Sequence, residues 1–284
     1  MPTPTPISSK IPITPRYSDC QAGGTLHPTA FVRAMLHAAL QAGAAQDSNE
    51  ADLEAASWLE RVGSLGLQIF EPALFADVLE IETRLTRKGQ AAWRRAFTFK
   101  RGAVSLAEGF IDTFSDVSDG LRTEDPAGAW PQDRTAWDEA LPELPELPPK
   151  PFRGNWTVGW SNQDLSGQLD PAALMQLIGD METRACEERG WTEVYNRENG
   201  FTWQMVEFRL ELYSAIGPGD ELNIVTFLGE VGDNEIVRQT LIERDYDEVA
   251  GSRTRWACVN PETGARCDIP NAWLGDLAVQ MAEE

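Results

Sequence analysis

The chain carries the same local pattern twice, at one fixed spacing. The segment YSDCQAGGTLHPTA at 17–30 aligns without a gap on WSNQDLSGQLDPAA at 160–173. The same spacing, the repeat offset, also aligns DVLEIETRLTRKG at 77–89 with DELNIVTFLGEVG at 220–232. Two matches at one offset indicate two related units, with expected boundaries at 1–148 and 149–284. In the first match the shared positions are Ser18 with Ser161, Gly24 with Gly167, Leu26 with Leu169, Pro28 with Pro171 and Ala30 with Ala173.

Each unit predicts the same order of secondary structure. An extended opening leads into a turn of small residues and then a helix, PTAFVRAMLHAALQAG in the first unit and AALMQLIGDMETRACEERG in the second. Asp170 before Pro171 is a favourable helix N-cap, and Gly190 is a stop signal. Four or five segments rich in β-branched and aromatic residues follow, which is typical of antiparallel strands. The expected fold class is therefore α+β, with a long helix wrapped by a curved antiparallel sheet in each unit.

Two segments fall outside the repeated pattern. The polar stretch DSNEADLEAASWLE at 47–60 is predicted to be helical. The Pro-rich stretch at 124–152 is predicted to be a stiff, extended connector between the units.

The composition limits the class of protein. At 42% hydrophobic and 24% charged residues, the chain is expected to be soluble, globular and able to bury a core. No apolar run approaches the roughly 20 residues of a membrane span, and MPTPTPISSK resembles neither a secretory signal nor a transit peptide. The expectation is a cytoplasmic protein with no membrane partner.

Charge and residue counts argue against several kinds of site. A formal net charge of −21 repels phosphate backbones, so nucleic acid is not an expected partner. The four cysteines show no CxxC pairing, and the chain has only two histidines. A zinc site, a disulfide framework and a His-based metal centre are therefore disfavoured, and neither metal nor cofactor is expected.

Both repeated landmarks resemble those of hotdog-fold acyl thioesterases of the 4-hydroxybenzoyl-CoA thioesterase and acyl-carrier-protein thioesterase type. That family opens with an aromatic strand end, Asp-x-Asp, small residues, a glycine and a helix, and its second landmark is Asp-x-Leu-x-Ile-x-Thr. Both occur twice here, at 17–28 with 77–83 and at 160–171 with 220–226. The resemblance implies a tandem double hotdog in one chain that hydrolyses an acyl-CoA or acyl-carrier-protein thioester. A homodimer of double hotdogs is one assembly that it allows.

The resemblance assigns the family's catalytic Asp to Asp164, whereas the first unit has Gln21 at the equivalent place. Because a glutamine is neither a base nor a nucleophile at neutral pH, the second unit is expected to hold the working site. A helix N-terminus can polarise a thioester carbonyl, and a carboxylate before it can attack or activate water. Since Pro171 has no N–H, the amide of Gly167 or of a neighbour such as Gln168 is expected to assist.

The predicted site draws on both loops. Asp164 and Gly167 are the predicted catalytic residues. The plant-type carrier-protein thioesterases carry Asn and His where this chain has Ser166 and Gln168, so their Asp, Asn and His set is reproduced only at Asp164. The predicted substrate-binding residues are Trp160, Asn162, Ser166, Gln168, Asp19, Gln21 and Gly24.

Other interpretations stay open. Asp164 and Asp19 are also ordinary turn residues that hydrogen-bond backbone amides, and Gly24 and Gly167 also suit tight turns without any further role. A non-catalytic acyl-CoA-binding or regulatory protein is favoured by Gln21 and by the proline at the second helix start. A hydratase of the same fold is disfavoured, because its Asp-x-Asn-Pro-x-His pattern is missing.

A basic cluster lies in the first unit, within RLTRKGQAAWRRAFTFKR at 84–101, where the second unit is acidic. In so acidic a protein the cluster suggests a place for a phosphorylated group, such as the CoA nucleotide or a carrier's phosphopantetheine. The alternative is the solvated outer face of a hairpin.

Overall fold

The computed structural model describes residues 7–21, 24–44, 61–87, 92–114, 117–118, 121–122, 147–148 and 150–281. The predicted helix at 47–60 and most of the predicted connector lie outside these residues.

The two halves repeat one order of elements: strand, short 3-10 turn, long helix and four further strands. The first half contains β1 (Ile7–Ile13), the turn Tyr17–Asp19, α1 (Pro28–Ala44), β2 (Arg61–Ile69), β3 (Leu79–Arg87), β4 (Ala92–Arg101) and β5 (Val104–Phe114), then a small hairpin of β6 (Val117–Ser118) and β7 (Leu121–Arg122). The second half contains β8 (Phe152–Thr157), the turn Trp160–Asn162, α2 (Pro171–Glu187), α3 (Glu193–Glu198), β9 (Thr202–Leu212), β10 (Glu221–Val231), β11 (Glu235–Arg244), β12 (Asp247–Val259) and α4 (Asn271–Met281).

The predicted α+β class and the predicted helix start are confirmed. The Asp170 carboxylate accepts the Ala172 amide at 2.8 Å, and Pro171 occupies the first helical turn, where its missing N–H costs no hydrogen bond. The sequence did not predict α3 and α4 of the second half, and the equivalent residues of the first half, 50–55 and 128–138, lie outside the described residues.

All the long strands join one antiparallel sheet, in the order β1-β3-β4-β5-β2-β9-β12-β11-β10-β8. The expectation of two separate sheets is therefore wrong. Each half contributes five strands and would leave β2 or β9 as an open edge with unpaired backbone groups. Pairing these two edges with each other satisfies both.

The pairing of β2 with β9 is symmetric with respect to the repeat. Gly66 lies opposite Arg209, and these two residues are themselves related by the repeat offset. On either side of this pair Leu65 faces Leu210 and Leu67 faces Phe208, which are exchanged by the same offset. The junction therefore relates the two halves by an approximate twofold axis through Gly66 and Arg209.

The helices α1 and α2 lie against each other and against one face of this sheet. A single apolar core runs through both halves, and in the first half Phe31 of α1 meets Phe99 of β4 edge-to-face with ring centroids 5.0 Å apart. The fully buried side chains Phe97 and Met35 complete this packing. Aromatic and aliphatic burial of this kind is the main source of stability in such a layer.

The interior of the second half is polar where that of the first half is apolar. Glu182 of α2 is buried, and its Oε2 accepts the indole N–H of Trp256 at 2.7 Å. The hydroxyls of Thr240 and Thr254 lie close to this carboxyl without hydrogen-bond geometry. The residues at the equivalent places in the first half are Ala39, Phe97, Ile111 and Thr113.

Tryptophans form a second, smaller cluster around α4. Trp273 of α4 lies 5.1 Å from Trp203 and 6.4 Å from Trp191, measured between ring centroids. The Trp191 indole donates to Asp276 at 3.0 Å. These rings hold α4 to the sheet, so they serve packing and do not line an acyl pocket.

Burial of Glu182 gives the first testable prediction. Because burial raises the pKa of Glu182 above its ordinary value of 4.5, the folded protein holds this proton more tightly than the unfolded chain. As the pH rises above 4.5 the natural protein should therefore lose unfolding free energy relative to Glu182→Gln, by up to about 1.4 kcal/mol for each pH unit. Urea unfolding at several pH values measures the difference. Glu187→Gln, at an exposed position of the same helix, should show no such trend.

Candidate active site

The loop before α2 is built around one oxygen of Asp164. Its Oδ1 accepts the Ser166 amide at 2.8 Å, the Ser166 hydroxyl at 2.6 Å and the Gln168 amide at 3.2 Å. No hydrogen bond to the second oxygen, Oδ2, is found within the described part of the chain. Asp164 is half-buried, so it is neither sealed in the core nor out in bulk solvent.

Most backbone amides of this loop already donate hydrogen bonds. The Gly167 amide donates to the Asp164 carbonyl at 3.1 Å, and the Leu169 amide donates to the Ile216 carbonyl at 2.8 Å. The Asp170 amide donates to Asn162. Burial raises the pKa of the Asp170 carboxyl, an effect opposed by the Ala172 amide that it accepts.

The first half forms the same turn without a carboxylate. The Gln21 amide donates to the Thr25 carbonyl at 2.9 Å, and the Gly24 amide donates to the Gln21 carbonyl at 3.0 Å. The same bonds are made by Asp164, Gly167 and Gln168 at the repeat offset. The Gln21 side chain is exposed and donates to the Thr25 hydroxyl. The turn therefore forms whether its first residue is an aspartate or a glutamine.

The aspartate of the second landmark makes the same hydrogen bonds in both halves. Asp77 Oδ2 accepts the Leu74 amide at 2.8 Å and Arg101 at 2.9 Å. Asp220 Oδ2 accepts the Gly217 amide at 2.9 Å and Arg244 at 2.6 Å. In both halves this aspartate fixes the strand entry behind the loop, which gives it a structural role.

Asp164 lines a narrow cleft that opens to solvent. The strand β2 of the first half contributes Val62, and β9 of the second half contributes Leu212. The cleft therefore lies where the two halves meet. Its lining residues are Val62, Asp164, Ser166, Gln168, Leu169, Pro171, Leu212, Ser214 and Ile216.

The structure brings together only some of the predicted residues. Asp164, Ser166 and Gln168 line the cleft. Trp160 does not, since its side chain is 81% exposed, like that of Tyr17, at 88%, in the first half. Asn162 and Asp19 accept amides within their own loops, from Gly159 at 3.1 Å and Arg16 at 2.8 Å. Gln21 and Gly24 lie in the first loop, away from the cleft residues.

Sequence reasoning missed the apolar side of the cleft. Leu212, Ser214 and Ile216 come from a segment predicted only as a strand, and Val62 lies just before the first predicted strand segment of its unit. One signal was available for Ile216, because the repeat offset pairs it with Ala73, which accepts the Leu26 amide just as Ile216 accepts that of Leu169.

Three members of the first half's basic cluster are paired with carboxylates. Arg94 binds Asp112, with its Nη2 2.5 Å from Oδ2, and Lys100 lies 2.6 Å from Glu82. Arg101 binds Asp77, as described above. Lys88 lies outside the described residues. These pairs favour the hairpin-face interpretation over a phosphate site.

A larger groove, with a volume of about 640 Å³, runs beside Gln68, Glu207 and Arg255. The guanidinium of Arg255 is held by Glu207 and Glu235. Because its charges are already paired and it lacks the Asp164 loop, this groove is a weaker candidate for thioester chemistry.

Within the described part of the chain, no group of three or more His, Cys, Asp or Glu side chains is arranged to hold a metal ion. No helix there is both long and apolar enough to cross a membrane.

Comparison with solved structures identifies the fold. The 12:0-ACP thioesterase from Umbellularia californica matches with a TM-score of 0.67 at 14% identity, over 89% of this chain and 94% of that chain. An acyl-ACP thioesterase from Bacteroides thetaiotaomicron matches with a TM-score of 0.59 at 13% identity, over 88% of this chain and 97% of its own. A protein from Lactobacillus plantarum, provisionally assigned as an oleoyl thioesterase, gives a TM-score of 0.65 at 14% identity over 88% of this chain and 96% of that chain.

The chain therefore has the hotdog fold of acyl thioesterases, and the resemblance expected from its two landmarks is confirmed at the level of fold. No protein-family model and no curated protein sequence matches the chain.

The two turn glycines give a prediction about stability. Gly167 and Gly24 have φ of +79° and +80°, and a Cβ at either position would meet nothing within 4 Å. Substitution of either by Ala should cost about 1–2 kcal/mol from backbone strain alone. Gly179→Ala, in the interior of α2 with no close neighbour, should instead stabilise. Urea unfolding of the three variants checks both signs, and equal effects at all three would contradict the explanation.

Proposed function

We propose that the protein hydrolyses the thioester of an acyl-CoA or an acyl-carrier protein, with one reacting site, in its second half. We also propose that it is a tandem double hotdog, with units 1–148 and 149–284 derived from one duplicated module. The shared hotdog fold, the repeated hydrogen bonds and the symmetric β2–β9 junction support this proposal.

One observation carries the functional proposal. The loop turn is the same in both halves, yet only the second half has a carboxylate there, and only that carboxylate lines the cleft between the halves. Since Gln21 supports the same turn, the turn alone does not explain Asp164. A carboxylate kept in a cleft beside a helix N-terminus is suited to acyl transfer.

The two oxygens of Asp164 have different roles in this proposal. Three hydrogen bonds hold Oδ1, which fixes the side chain, while Oδ2 is left to react. As a general base, Oδ2 would take a proton from a water molecule, whose oxygen attacks the thioester carbon, and the thiolate would leave and be protonated. As a nucleophile, it would form a mixed anhydride with loss of the thiolate, and water would then cleave the anhydride.

Stabilisation of the developing oxyanion is assigned to the Gln168 side chain. The amides of Ser166, Gly167, Gln168, Leu169 and Asp170 already donate hydrogen bonds, and Pro171 has no N–H, so none of these residues offers a free backbone donor. Gln168 is a cleft-lining residue, and the Oε1 of its carboxamide is buried without a partner in the described structure. By rotation of this side chain, its NH₂ group would reach the cleft and donate to the thioester oxygen.

A second candidate function is a non-catalytic acyl-thioester-binding protein. It is favoured by the hydrogen bonds that tie Asp164 into its own loop, which would suffice for a purely structural aspartate. Turnover separates the two functions, because both bind the same class of ligand.

Asp164→Asn tests the catalytic role. The substitution removes the base or nucleophile but keeps an acceptor oxygen for the loop, so turnover should fall about 100-fold to 10,000-fold while ligand binding is retained. Release of free thiol from a series of acyl-CoA thioesters, read with a thiol reagent, measures it.

Asp245→Asn is the matched control. Asp245 is an exposed carboxylate in a tight turn with φ of 54°, a conformation that Asn tolerates, and it should keep full turnover. Equal turnover in natural protein and Asp164→Asn would refute the assigned role of Asp164. Binding without turnover in the natural protein would favour the second candidate function.

Gln168→Met tests the oxyanion donor. Methionine has a similar length but no N–H, so kcat should fall about 100-fold to 1,000-fold with little change in KM. Gln163→Met removes a carboxamide from the same loop but outside the cleft lining, and its effect should be smaller than about tenfold. Comparable losses in the two variants would point to loop distortion and against a donor at Gln168.

A further inference from the structure

The Asp164 cleft is bounded on its inner side by residues from both halves. Val62 of β2 and Leu212 of β9 both line it, and both are partly buried against the main core. An acyl group whose thioester lies at Asp164 would point its chain toward these two side chains and Ile216, because the other apolar lining residues, Leu169 and Pro171, lie beside Asp164 in its own loop and helix start. Beyond them the chain would have to enter the space between helices and sheet.

In the first half this space is filled by large rings. Phe31, Phe97 and Phe99 are each at most 2% exposed, and Met35 is fully buried between α1 and the sheet. Even a methyl group added at Gly109 would come within 2.8 Å of the Met35 sulfur. A long alkyl chain could enter here only by displacing this packing.

In the second half the same space is closed by polarity. Leu212 pairs with Ala250, and the next inward-facing row, two residues along the strands, pairs Leu210 with Ser252 and Ser252 with Thr240. The hydroxyl oxygens of Ser252 and Thr240 are buried and without partners in the described structure. Glu182 follows, beside Thr240.

The groups of this row are already buried, so an alkyl chain could lie there only by displacing the atoms that surround them. Its methylenes would also supply none of the hydrogen bonds that these groups lack. The row therefore limits how far an apolar chain can extend beneath α2, at about 7 Å beyond Leu212 along the strand.

We infer that the site takes a short acyl group and that Val62 and Leu212 set the length limit. The inference rests on the proposed thioesterase function. Because the space beyond these two side chains is already packed in both halves, the acyl chain has to end at or shortly beyond them.

Binding of non-hydrolysable thioethers tests the inference separately from turnover. S-alkyl phosphopantetheines, which share the arm common to CoA and carrier proteins, would be titrated calorimetrically into the full-length protein with alkyl chains from two to sixteen carbons. Affinity should rise about fourfold for each buried methylene up to a short limiting length, and then level off or fall well before sixteen carbons.

Leu212→Ala should extend the limit. Removing the isobutyl group opens the inner side of the cleft, so the length at which affinity levels off should increase by about two carbons. The matched control is Ile69→Ala, at the equivalent position of the first half, which is buried and not part of the cleft lining. It should lose comparable stability and leave the length limit unchanged.

The outcomes distinguish the two levels of the proposal. Affinity that keeps rising to sixteen carbons would overturn the short-chain limit and leave the thioesterase proposal standing. An unchanged limit in folded Leu212→Ala would overturn the assignment of Leu212. Failure of every chain length to bind would overturn both the limit and the proposed function.

Discussion

The pairing of β2 with β9 is the constraint on which the rest of the structure depends. Each half leaves one strand edge open, and backbone N–H and C=O groups at such an edge need partners. Pairing the two edges about Gly66 and Arg209 joins ten strands into one sheet, brings α1 and α2 together on one face, and allows one core to span both halves. It also brings Val62 of one half beside the Asp164 loop of the other.

Much of the fold could be predicted because the same pattern of helix and strand signals occurs twice in the sequence. Asp170 and Pro171 mark a helix start by local chemistry, and the alternating runs mark strands wherever one face is buried. The joining of the halves into one sheet could not be predicted, since pairing of β2 with β9 is a long-range contact between segments that local periodicity describes only as strands. The same reason hid the apolar side of the cleft, where Val62 and Leu212 meet although they lie in different halves of the chain.

The candidate site was predicted in part, and the limits were physical. The repeat singled out Asp164 because the turn is shared while its first residue differs. It also suggested Trp160, since an aromatic residue opens both loops, but Tyr17 and Trp160 both point to solvent. Sequence alone could not reveal that the turn itself uses loop amides such as that of Gly167. For this reason the proposed oxyanion donor is the Gln168 side chain and not the predicted Gly167 amide.

Because the two matched halves belong to one chain, each half can acquire substitutions that the other lacks. In a pair of identical chains every substitution appears twice, so a loss in one loop is a loss in both. Here Gln21 and Asp164 occupy equivalent turns in one molecule, and Phe97 and Thr240 occupy equivalent places in its interior. Under the proposed function, the molecule therefore has one reacting centre for its two units, where a pair of identical chains would have two.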